Sequence, residues 1–94
     1  MKNSELIRRI WKNEVVNSKK ARILTLVGKG IGTRIQQTRN RMLGFSPTTD
    51  AELFFIVDIL KQEEVNISFY EGEINRKKAK YFGMEYEMVD FPDE

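Results

Sequence analysis

The chain has no cysteine and no histidine among its 94 residues. Lack of cysteine excludes disulfides, thiolate nucleophiles, cysteine-held zinc and iron–sulfur ligation. Lack of histidine removes the commonest general base and the commonest transition-metal ligand. Carboxylates, lysines, tyrosines and hydroxyls remain, and no catalytic motif is assembled from them. A non-enzymatic protein with no cofactor, no catalytic residues and no metal site is therefore expected. No apolar run approaches the ~20 residues that span a bilayer. The opening Met-Lys-Asn-Ser-Glu leads into a charged amphipathic stretch, unlike a secretory signal. An intracellular, cytoplasmic location without membrane partners is the expectation.

Acids are scarce in one half only. Residues 1–45 carry eleven Lys/Arg against Glu5 and Glu14, whereas residues 46–94 carry five bases against twelve acids. The total of +2 thus conceals a basic half at +9 and an acidic half at −7. A chain so polarised can turn one face to a polyanion. Its length suits a single domain, 1–94, with a frayed acidic tail at 90–94.

Periodicity places a first amphipathic helix at about residues 5–16, capped by Ser4, with Leu6, Ile7, Ile10 and Trp11 as its buried stripe. Ala21 to Val27 is short, nearly all apolar and followed by glycine, which predicts a central strand. A helix over about 31–43 follows, stopped by Gly44. Thr49 and Glu52 match a capping box opening a helix that runs to about Glu63. Val65, Ile67 and Phe69 alternate with polar residues and predict a second strand. A turn at 71–73, a short helix or basic loop at 75–82 and a last strand, Met84 to Val89, complete the order. The fold class expected is α/β: a small single-domain sandwich of three strands, at least partly parallel, with an N-terminal amphipathic helix. Were residues 51–60 a strand instead, the pattern would become a ferredoxin-like α+β fold with a four-stranded sheet.

Gly28-Lys29-Gly30-Ile31-Gly32 is the sharpest local signal. After a strand and before a helix, Gly28, Gly30 and Gly32 would let backbone amides approach an anion. A tight turn with no ligand explains the same residues, and neither the dinucleotide fingerprint nor a Walker loop is complete. Lys19, Lys20, Arg22, Lys29, Arg34, Arg39 and Arg41 form the second signal, with Gln36, Gln37 and Asn40 interleaved as hydrogen-bonding amides. Arg34, Gln37 and Arg41 fall on one face of the expected helix. Such charges on a rigid scaffold suffice for phosphate contacts. The run Arg76-Lys77-Lys78-Ala79-Lys80 is an accessory candidate, and the acids from Glu71 onward show no metal-site spacing.

The function expected is nucleic-acid binding, to DNA or RNA, by Lys19, Lys20, Arg22, Lys29, Arg34, Gln37, Arg39 and Arg41, with the glycine turn as an anion-binding loop. The alternative is a protein–protein module, an inhibitor or regulator that docks or oligomerises through its opposed charges. A nucleotide-phosphate site at the glycine loop is a third reading.

Overall fold

A computed structural model describes residues 1–83, and these form helices with no strand among them. The elements are α1 (Asn3–Asn13), α2 (Asn17–Ile31), α3 (Ile35–Met42), α4 (Asp50–Gln62) and α5 (Glu71–Tyr81), with a single 3-10 turn at Ser68–Tyr70 ahead of α5. The α/β sandwich and the ferredoxin-like alternative are both overturned. The expected strand at Met84–Val89 and the tail at 90–94 lie outside the described residues.

Two segments account for the correction. The first is Ala21 to Val27, which sits in the middle of α2. Its buried residues Ile23, Leu24, Val27 and Gly28 recur at i, i+1, i+4 and i+5, a helical stripe, while Arg22, Thr25 and Lys29 are exposed. The second is Val65 to Tyr70. Val65 and Ile67 are buried between exposed neighbours, as a strand's would be, but among the described residues no partner strand runs beside them. Instead the Asn66 side chain accepts from the Ser68 backbone amide at 3.1 Å and its hydroxyl at 2.7 Å, a local turn leading into α5.

The boundaries follow from the caps. Ser4 lies inside α1, whose N-cap is Lys2 and lacks a side-chain bond. Thr49 caps α4 as expected: its hydroxyl accepts from the Glu52 amide at 3.2 Å, and the Glu52 carboxylate accepts from the Thr49 amide at 3.1 Å. Gly44 ends α3 with φ 82°, Phe45 N–H donating to Asn40 O and Gly44 N–H to Arg41 O, a Schellman closure.

Leu6, Ile7, Ile10 and Trp11 of α1 are buried against Ile23, Leu24 and Val27 of α2, Met42 of α3 and Leu53, Ile56, Val57 and Leu60 of α4. Helix α4 packs on α2 and α5 and touches α1; α3 packs on α1 and α2. Helix α3 gives the core only Thr38 and Met42. Its residues Ile35, Gln36, Gln37 and Arg39 are exposed, and Asn40 and Arg41 are half-buried.

Candidate nucleic-acid interface

The glycine run is not a strand-to-helix loop. Gly28 and Gly30 lie inside α2, so their amides belong to the helix, and only Gly32 stands in a turn. Each internal glycine answers a packing demand. A Cβ on Gly28 would lie 2.9 Å from Thr38 Oγ1 and 3.0 Å from the Thr33 carbonyl, and a Cβ on Gly30 would overlap the Phe55 ring. Gly28 therefore admits α3, and Gly30 admits α4. Gly32, at φ 73°, ends α2 in the left-handed region, with Thr33 N–H bonded back to Gly28 O at 3.0 Å.

Three residues, Gly32-Thr33-Arg34, join α2 to α3. The join is braced from inside. Fully buried Thr38 donates its hydroxyl proton to Arg34 O at 2.9 Å, so Thr33 is the donor in the 2.6 Å bond between the two threonine hydroxyls. Gln37 caps the helix start: its side-chain carbonyl accepts from the Arg34 amide at 3.1 Å.

The structure divides the predicted basic set. Lys19 donates to Glu63 O at 2.5 Å and Arg22 pairs with the Glu63 carboxylate at 2.8 Å, so both are turned toward the end of α4. Arg41 pairs with Glu52 at 2.8 Å and donates to Pro47 O at 2.9 Å. These three are bound into the fold. Gln37 is half engaged by its cap, so the expected face of Arg34, Gln37 and Arg41 does not form. Lys29, Arg34 and Arg39 are exposed and make no ion pair among the described residues. Lys20 lies 5.1 Å from the centroid of the Trp11 ring.

The outward face of α3 consists instead of Gln36, Arg39 and Asn40. Arg39 donates to Gln36 Oε1 at 3.2 Å, and Gln36 Nε2 donates to Asn40 Oδ1 at 3.3 Å. Cations flank both ends. A shallow depression lined by Leu24, Gly28, Thr33 and Ile35 puts Lys29 beside the start of α3. At its other end Arg8, Lys12 and Lys20 line a cleft with Trp11, Leu43 and Phe45. No acid occurs between Glu14 and Asp50, so α2, the turn and α3 carry seven bases unopposed from within.

Sequence reasoning missed Arg8, Lys12 and Phe45 as parts of this surface. Phe45 is 75% exposed beside three cations. Its exposure follows from Gly44, whose closure of α3 directs the chain outward, and no periodicity reveals that. The run on α5 is largely engaged locally: Arg76 bonds to Glu73 at 2.5 Å, and Lys77 donates to Met1 O at 2.6 Å. Glu73 is held below the ordinary carboxylate range by the Met1 ammonium and then by Arg76, far from α3 in the chain. Among the described residues no three carboxylates gather closely enough to hold a metal ion, and no helix is long and apolar enough to cross a membrane. Comparison with protein-family models, with curated proteins and with solved structures finds no match, so function is argued from this surface alone.

Proposed function

We propose that the chain binds nucleic acid, inside the cell, through the surface of α3 and the cations at its two ends. The observation that carries this reading is the exposure of Lys29, Arg34 and Arg39 on and beside a helix whose neighbourhood in the chain holds no acid. Lys20, Lys12 and Arg8 extend the same charge past the helix end. Phosphate oxygens need such charges at fixed positions, and the braced turn holds Arg34 in place. Lys19, Arg22 and Arg41 serve the fold, and the glycines serve packing.

Binding of the full chain to generic duplex and single-stranded nucleic acid across a salt series tests the reading. With four to six phosphates engaged, log K should fall against log salt with a slope of about −4 to −5 on duplex DNA. Lys29→Glu with Arg34→Glu should lower that slope by about 2 and abolish binding at moderate salt, with the melting temperature kept because both side chains are exposed. Absence of binding at low salt would make this surface a protein-docking face instead.

A further inference from the structure

We infer that α2 and α3 form a helix-turn-helix that reads base sequence in the major groove of duplex DNA, with Gln36, Arg39 and Asn40 against base edges. The inference rests on the nucleic-acid reading above and names its substrate class. A DNA-reading pair of this kind needs two helices locked across a short turn, the second offering an unencumbered polar face. Here a turn of three residues with a left-handed glycine joins them. Gly28 lets α3 cross α2 at van der Waals contact with Thr38, and the Thr33–Thr38 bond ties the turn to the crossing. The second helix buries Thr38 and Met42 and is tied at Arg41 to Glu52 and the Pro47 carbonyl, which leaves Gln36 and Arg39 exposed.

Its size and chemistry fit the groove. An α-helix with its side chains is about 10–12 Å across, which the B-form major groove, about 12 Å wide, admits. The outward side chains, exposed Gln36 and Arg39 and half-buried Asn40, are of the types that discriminate bases there: arginine toward guanine, glutamine and asparagine toward adenine. Their bonds to one another set Gln36, Arg39 and Asn40 as one strip before DNA arrives. Lys29 and Arg34 at one end, and Lys20 at the other, stand where flanking phosphates would lie. The deep, narrow major groove of A-form RNA does not admit such a helix. That selects duplex DNA.

The test is selection of bound duplexes from a random-sequence DNA library by the full chain at physiological salt. Binding is then measured to the selected duplex, a scrambled duplex, the matching RNA duplex and the single strands. A recurrent site bound at least ~100-fold tighter than the scrambled duplex is expected. Gln36→Ala and Asn40→Ala should each cut that preference roughly 10- to 100-fold, while affinity for the scrambled duplex, its salt slope and the melting temperature stay unchanged. Salt-dependent binding with no recurrent site, or with RNA or single strands preferred, overturns major-groove reading and leaves the cationic surface standing. Loss of all binding, to every probe at low salt, overturns both. A recurrent site whose selection Gln36→Ala and Asn40→Ala leave intact removes α3 as the reader.

Discussion

Glu64 is the non-glycine residue with positive φ among the described residues, at 62°. It closes α4 as a glycine would: Glu64 N–H donates to Lys61 O and Val65 N–H to Leu60 O. An L-residue in that conformation costs about 1–2 kcal/mol through the clash of its Cβ with the following carbonyl. The side chain is exposed and forms no hydrogen bond or ion pair among the described residues, so nothing visible offsets the strain. Glu64→Gly relieves it, less the extra freedom glycine gives the unfolded chain. A net gain of about 0.5–1 kcal/mol is expected, or roughly 2–8 °C in Tm by calorimetry. A lower Tm would mean that the carboxylate has a stabilising role. The contrast with Gly32, Gly44 and Gly83, which adopt positive φ at no such cost, is what singles out position 64.

At the scale of elements, Gly28 gives the sharpest sign. Glycine to alanine inside a helix ordinarily stabilises by about 0.5–1 kcal/mol. At Gly28 the added carbon meets a buried, doubly hydrogen-bonded hydroxyl at 2.9 Å and a backbone carbonyl at 3.0 Å, neither free to yield. Gly28→Ala should therefore destabilise by about 1–2 kcal/mol, and Gly72→Ala in α5, where a Cβ meets nothing within 4 Å, should be neutral or stabilising. Paired chemical denaturation checks both; stabilisation at both positions would deny the close crossing of α2 and α3. The same glycines explain what was legible beforehand. The stripe of α1, the capping box at Thr49 and the stop at Gly44 are local signals, and each was read from spacing. Helix α2 was not, because an apolar, β-branched run followed by three glycines has the local preferences of a strand and a turn. What overrides them is tertiary: neighbours that need Gly28 and Gly30 small. The basic half was legible as charge, but which bases are spent on the fold depends on Glu52 and Glu63, which are distant in sequence from Lys19 and Arg22.

Over the whole molecule, the charge split has two uses. The carboxylates of Glu63 and Glu52 neutralise Arg22 and Arg41, and Lys19 donates to the Glu63 backbone carbonyl, so α2 and α3 are tied to α4 and its end. The bases they do not reach set the outward field. Stability and polyanion affinity are thus coupled with opposite sign through the same few carboxylates. Glu63→Gln makes the coupling measurable. Its side chain is only 14% exposed and pairs with Arg22 at 2.8 Å, but Arg22 is 68% exposed, so solvent screens much of the pair. A loss of at most about 1 kcal/mol is expected, while the chain gains one net positive charge and Arg22 of the basic half loses its counter-charge. Affinity for generic duplex DNA at low salt should rise roughly 3- to 10-fold, with the gain disappearing at high salt as the added field is screened. A protein that used its acidic half only to dissolve would lose stability and gain no affinity. A protein whose acids also restrain a nucleic-acid surface shows the lower Tm and the tighter binding together.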